Sequence, residues 1–245
     1  MKGYHEKDLL VTPSLCDSNF RLSLTSIFVL FQDAASEHAE TLGVGGNAME
    51  EKGLFWLMVR TRVRCIARPR LMERIHVKTW LAPYAPGDLR TYRYYTVSCG
   101  GKVAAEGKTE WAIIRIGDHS MARIRDAAFP EVELLPEAIL EEPYSRFRAL
   151  PNESAPTFAH IVRSTDVDMG QHMNNTAYIR ALLDTFPIAE LKAIEPAEME
   201  ICYKQACYGG EELTIRRQET EDGWLFSVHR ADGKPATVAS LRQAK

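Results

Sequence analysis

The sequence predicts an α+β chain built from two similar units, each a long central helix wrapped by a curved antiparallel sheet. Three observations carry this reading. The order strand, turn, helix, four strands occurs twice. Adding 151 to a residue number carries Asp17 to Asp168, Thr25 to Thr176 and Asp33 to Asp184. A stretch of different composition separates the two copies, as expected of a tandem arrangement.

The elements follow in order. Leu9–Thr12 reads as a strand, Cys16-Asp17-Ser18-Asn19 as a turn, and Leu24 to Leu42 as a helix. In that helix Ile27, Phe28, Leu30, Phe31, Ala34, Ala35, His38 and Leu42 cover well over half the circumference, more than one buried stripe requires. Such a helix is enclosed on most sides. Four strands follow: Phe55–Cys65, Arg74–Trp80, Arg90–Ser98 and Val103–Ile116, with Gly100-Gly101 suited to a hairpin between the last two. Residues 126–157 hold five prolines and an acidic run, and read as a linker. The second copy runs Phe158–Arg163, a turn at Asp166–Gly170, a helix from Asn174 to Leu183, then strands at Met199–Cys207, Glu212–Gln218, Trp224–Arg230 and Ala236–Leu241. The expected domains are therefore residues 1–125, a linker at 126–157 and residues 158–245. A strand, an enclosed helix and four strands, given twice, describe the hotdog unit in tandem.

Composition narrows the function. The 245 residues are 45% hydrophobic and 26% charged, which excludes disorder, collagen and a small disulfide scaffold. A net charge of −3 lacks the positive excess of a nucleic-acid binder. Five cysteines without a CxxC pair fit a reducing compartment. The segment MKGYHEKDLL has no apolar run of the kind a signal peptide needs, and no stretch approaches a membrane span. The expectation is a soluble cytoplasmic protein that uses neither nucleic acid nor membrane, as a monomer or homodimer. No GxxxxGK[ST], GxGxxG or GxSxG motif occurs, and Asp166, Asp168 and His172 have no second cluster to complete a metal sphere. Neither metal nor cofactor is expected.

Residues 164–178 read Ser-Thr-Asp-Val-Asp-Met-Gly-Gln-His-Met-Asn-Asn-Thr-Ala-Tyr, placing two carboxylates, an imidazole and three amides directly before a helix. Part of this is ordinary turn chemistry, with Asn174 or Asn175 as N-cap and the aspartates forming Asx turns. The polar groups exceed what one cap requires. Free N–H groups at a helix start stabilise an oxyanion, and a carboxylate beside them can activate water. In outline this is an acyl-transfer site.

Here the sequence resembles the plant and bacterial acyl-acyl-carrier-protein thioesterases, whose second repeat bears D-x-D-x-N-x-H-x-N-N-x-x-Y. In the first repeat Phe31–Glu40, Leu42–Gly45, Lys78-Thr79-Trp80 and Glu110-Trp111 are also similar to that family. The resemblance implies hydrolysis of acyl-carrier-protein thioesters to free fatty acid and carrier, ending fatty acid synthesis. It puts the family's aspartate on Asp168 and its histidine on His172. The intervening asparagine is Gly170 here, and in Tyr203-Lys204-Gln205-Ala206-Cys207 the family's second carboxylate has become Ala206. The expected mechanism therefore uses one base. Asp168 activates water, His172 and Gln171 position the thioester, Asn174 and Asn175 hold the oxyanion, and Gln205 or Asp166 compensates for the lost carboxylate. A second route has Cys207 as nucleophile, activated by His172 and oriented by Asn174; its plainer role is a buried small residue.

The acyl chain needs an apolar pocket, expected beside the first helix from Ile27, Phe28, Phe31, Trp56, Met58, Trp80 and Trp111, although each also suits an ordinary core. Arg60, Arg62, Arg64, Arg68, Arg70 and Arg74 cluster, with Arg60–Arg64 alternating on one strand face. They form either a solvated face or, through Arg68 and Arg70, a landing site for an acidic acyl carrier protein. Three other functions remain in view: a non-catalytic acyl-thioester binding module, a hotdog acyl-CoA thioesterase, and a hotdog dehydratase, which would need an acid on the other repeat.

Overall fold

The computed structural model describes residues 1–151 and 155–244. Residues 152–154 of the expected linker, and Lys245, lie outside the described residues. The chain divides into two compact units, Met1–Glu142 and Pro143–Lys245.

The first unit contains β1 (Tyr4–Leu10), α1 (Leu24–Thr41), α2 (Gly46–Glu51), β2 (Leu54–Cys65), β3 (Arg74–Leu81), β4 (Arg90–Cys99), β5 (Lys102–Arg115) and the short β6 (Met121–Ala122). Its antiparallel strands lie in the order β1-β3-β4-β5-β2, with β6 on β5. Helix α1 starts where Ser23 accepts the Ser26 N–H at 3.0 Å, so the cap satisfies a donor that the helix cannot. Leu24, Ile27, Phe28, Leu30 and Phe31 are all buried, whereas Asp33, Ser36 and Glu37 are exposed, so enclosure is complete only for the first turns. Phe31 stacks on Tyr95 with centroids 4.6 Å apart. Its ring also occupies the space above Gly107, where a Cβ would lie 2.3 Å from Cε2. The close approach of helix to sheet therefore requires that glycine.

From residue 128 to residue 151 the Pro-rich stretch forms neither helix nor strand, yet as far as Glu142 it lies on the first unit. Leu135 and Ile139 pack against Trp80 and Tyr94, the Trp80 indole N–H donates to Glu137 O at 2.8 Å, and Lys108 donates to Leu140 O at 3.2 Å. Arg62 and Arg64 do share the outer sheet face, and both reach Glu142.

The second unit contains β7 (Thr157–Ile161), α3 (Asn175–Leu183), α4 (Ile188–Ala193), β8 (Pro196–Tyr203), β9 (Glu212–Thr220), β10 (Gly223–His229) and β11 (Pro235–Gln243). Its antiparallel order, β8-β11-β10-β9-β7, repeats that of the first unit position for position. The helix of this copy falls where the sequence places it, from its cap at Asn174 to Leu183, and at nine residues it is half the length of α1, because the chain turns at Thr185–Pro187 before α4 begins. Other details depart from expectation. The six-residue helices α2 and α4 offer too little periodicity to be read from sequence. Strand β8 stops at Tyr203, because the N–H groups of Lys204 and Gln205 both turn to Ala236 O, and so Cys207 lies beyond the strand. Among the described residues no helix is long and apolar enough to cross a membrane.

Candidate active site

The turn before α3 is built around Asp168. A single 3-10 turn, Ser164–Asp166, leads in, and the Asp166 carboxylate accepts the Arg163 N–H at 3.0 Å. Asp168 N–H donates to His172 O at 3.1 Å, and Gln171 N–H to Asp168 O at 3.0 Å. This closes a tight loop in which Gln171 takes φ 61, a left-handed value that costs a non-glycine residue about 1 kcal/mol or more. Met173 N–H donates to Cys207 O at 2.8 Å, tying the loop to the turn after β8.

Both carboxylate oxygens of Asp168 are held. Oδ1 accepts the Gly170 N–H at 2.8 Å, and Oδ2 accepts the Asn174 side-chain N–H at 3.2 Å. The Asn174 amide is itself oriented, since its Oδ1 accepts from both the N–H and the hydroxyl of Thr176, at 2.8 and 2.7 Å. His172 Nδ1 stands 3.7 Å from Asp168 Oδ1, within ion-pair reach but beyond a hydrogen bond. Each side chain is 28% exposed, so water reaches the pair. Gly170 makes this approach possible. A Cβ there would lie 2.6 Å from His172 Cε1 and 3.1 Å from Asp168 Oδ1. The glycine that reads as a missing amide in the sequence thus leaves the space that the His172 ring occupies; its place between an aspartate and a histidine two residues either side was the available signal.

Four expectations are corrected. The Asn174 backbone N–H donates to Asp166 O at 2.8 Å and cannot serve an oxyanion; only the Asn175 N–H at this helix start carries no bond among the described residues. Cys207 is fully buried, and burial pushes its thiol pKa up, while its hydrogen-bond partner is the Tyr178 phenol. A thiol so placed is neither a thiolate nor paired with an imidazole, which removes the Cys207 nucleophile. Asp166 does not compensate for the lost carboxylate, because its oxygens face Arg180 at 3.4 Å, His160 at 3.5 Å and the Arg163 N–H. Arg68 is no landing site: its side chain is 5% exposed and ion-paired with Asp17. Arg70 remains exposed.

Gln171 and Gln205 are both exposed, the first on the loop itself and the second on the turn after β8, and the carboxylate of Asp168 is held by Gly170 and Asn174, not by either glutamine side chain. Of the acyl-pocket candidates, Ile27, Phe28 and Phe31 are buried on α1, and Met58 pairs across strands with Trp111. Trp56 packs edge-on against Trp111 and Phe129. Trp80 is misassigned. It is paired with Tyr94, whereas the helix stacks on Tyr95, the next residue and so the opposite sheet face. No group of three or more His, Cys, Asp or Glu side chains able to hold a metal occurs among the described residues.

This architecture is that of solved tandem hotdog proteins. An acyl-ACP thioesterase from Bacteroides thetaiotaomicron matches over 99% of this chain and 98% of its own, with TM-score 0.85 and 22% identity. A 12:0-ACP thioesterase from Umbellularia californica matches over 100% and 98%, with TM-score 0.86 and 16% identity. Residues 4–131 match the acyl-ACP thioesterase N-terminal domain and residues 152–239 the C-terminal domain, so the chain belongs to the acyl-ACP thioesterase family. Curated relatives include an oleoyl-acyl carrier protein thioesterase of Arabidopsis thaliana, 23% identical over 92% of this chain and 65% of the relative. An acyl-[acyl-carrier-protein] hydrolase of Cuphea viscosissima is 21% identical over 76% and 48%. The chain thus spans between about half and two thirds of the length of these relatives.

Proposed function

We propose that the protein hydrolyses acyl-acyl-carrier-protein thioesters, releasing free fatty acid and carrier. The observation that supports this most directly is the doubly held, water-accessible carboxylate of Asp168 beside His172, at the start of a helix with one unbonded N–H. Asp168 takes a proton from water, and the hydroxide adds to the thioester carbonyl. The oxyanion of the tetrahedral intermediate accepts from the Asn175 N–H. Collapse expels the carrier thiolate, which regains a proton through Asp168 or His172. Family membership supports the substrate class, and free thiols at all five cysteines support a reducing, cytoplasmic setting. In this reading Arg70 alone of the two carrier-binding candidates meets the acidic partner.

A binding module is the competing reading, favoured by Ala206 standing where the family has a carboxylate. Free-thiol release from an acyl-carrier-protein thioester separates the two. Hydrolysis in the wild type and its loss by about a thousandfold in Asp168→Asn is the expected result; binding without thiol release overturns the hydrolase reading.

A further inference from the structure

The first unit hides a second polar cluster, on the face of its sheet that α1 covers. Arg93 is 5% exposed and has no carboxylate partner among the described residues. It donates to His38 Nδ1 at 2.8 Å and to the Thr79 hydroxyl at 3.3 Å. His38 donates its other ring nitrogen's proton to Lys2 O at 3.1 Å, so the imidazole is neutral and returns no negative charge to the guanidinium. Burial and the adjacent Arg93 hold its pKa at about 4.

The same inner face carries three polar atoms that are buried and unbonded: Thr91 Oγ1, Tyr95 OH and Trp111 Nε1. They are neighbours. Thr91 pairs across strands with Trp111, Arg93 with Thr109 and Tyr95 with Gly107. The Tyr95 phenol faces Trp111 and Thr109 without closing a hydrogen bond to either. Unbonded buried polar groups are costly, and a buried cation without a counter-charge is more so. The chemistry of the groups is one-sided: guanidinium and indole only donate, and each hydroxyl has a proton to give. What completes the cluster must accept several hydrogen bonds and bring negative charge.

We propose that Arg93, Tyr95, Thr91 and Trp111, on the face of the first unit's sheet that α1 covers, form a seat for the carboxylate of an aliphatic ligand. Guanidinium and carboxylate match in geometry as well as charge. Such a carboxylate has two sources, a free fatty acid or the far end of an acyl chain that carries a second acid group.

Calorimetric titration of the full chain with decanoate and with 1-decanol tests the seat without reference to hydrolysis. Decanoate is expected to bind at least tenfold more tightly than decanol, and Arg93→Met to remove that advantage while the ligand-free variant melts no lower than wild type. Tyr95→Phe, which deletes only one oxygen, is expected to weaken decanoate about threefold. Equal affinity for decanoate and decanol, meaning ordered water only in the cluster, overturns the proposal, as does an unchanged decanoate Kd in whichever of the two variants folds. The sources are told apart by N-acetylcysteamine thioesters: a lower KM for the half-thioester of decanedioate than for the decanoyl thioester assigns the far-end acid, and equal KM values with inhibition by decanoate assign the free acid. Only this second arm rests on the hydrolase reading.

Discussion

The turn before α1 and the turn before α3 share one backbone. Asp17 N–H donates to Arg21 O at 2.8 Å, as Asp168 does to His172; Phe20 N–H donates to Asp17 O at 3.1 Å, as Gln171 does to Asp168. Phe20 takes φ 57 where Gln171 takes φ 61. Oδ1 of Asp17 accepts the Asn19 N–H at 2.8 Å, the same bond that Gly170 makes to Asp168. Both helices are then capped, by Ser23 and by Asn174. The side chains differ. In the first turn the remaining oxygen of Asp17 is neutralised by the buried Arg68, and Arg21 stands where the second turn has His172. In the second, that oxygen meets a neutral amide and leaves the negative charge facing an imidazole and water. The same backbone trap thus holds an ion-paired carboxylate in one unit and a water-accessible one beside an imidazole in the other, and the difference lies in which side chain reaches the second carboxylate oxygen; the proposed hydrolysis assigns structure to the first and chemistry to the second.

This contrast can be broken most sharply by exchanging each aspartate for asparagine. Asp168→Asn is expected to abolish turnover while leaving Tm within a few degrees of wild type. Asp17→Asn should leave kcat nearly intact but cost about 3 kcal/mol in urea unfolding, because the buried Arg68 guanidinium then loses the carboxylate it is ion-paired with. A reversed pattern would refute the division of labour. Two positions on, Gly170→Asn should lower kcat by at least tenfold by displacing His172, whereas Asn19→Gly in the first turn should leave kcat unchanged; steady-state kinetics on both variants measures this.

The helices that the turns lead into offer a weaker test. Helix α1 buries His38, and the position 151 residues on is Ala189. With its folded pKa held at about 4 against an ordinary 6.5, His38 stays neutral in the folded chain while the unfolded chain binds a proton. Stability is therefore complete above pH 6.5 and falls as pH drops toward 4, with about 2 kcal/mol lost between pH 7 and 5. Urea titrations at the two pH values should show this loss in wild type and not in His38→Gln. The smallest effect concerns the caps. Ser23→Ala and Asn174→Ala should each cost about 1 kcal/mol in thermal unfolding, yet only the second should also reduce kcat, since it alone frees Asp168 Oδ2.

Much of this was legible in the sequence because it rests on local periodicity. The long, apolar α1 and the hairpin glycines each leave a pattern within a short window, and the repeat is the same order of such local patterns met again 151 residues on. The site was legible as a composition, Asp168 with His172 and Asn174, because a turn keeps its residues together in the chain. What escaped depends on partners far away in sequence. Arg68 reads as a surface cation until Asp17, 51 residues earlier, is found beside it. Trp80 reads as pocket lining because its sheet face is fixed by pairing with Tyr94, not by its own strand. Cys207 reads as a strand residue because nothing nearby announces that Lys204 and Gln205 will both bond Ala236 O. Likewise, the N–H of Asn174 is engaged by a carbonyl eight residues upstream, which no helix-start signal reveals.

The segment from Leu134 to Glu142 has neither helix nor strand, yet it seals Trp80 and Tyr94 and meets Lys108, Arg62 and Arg64. A fragment cut at residue 125, where the last strands are complete, would bare a greasy aromatic patch rimmed with cations and would be prone to clump. Where to cut the chain for study of one half is decided by this irregular seal, and the tidy end of a β-sheet is the wrong place for the scissors.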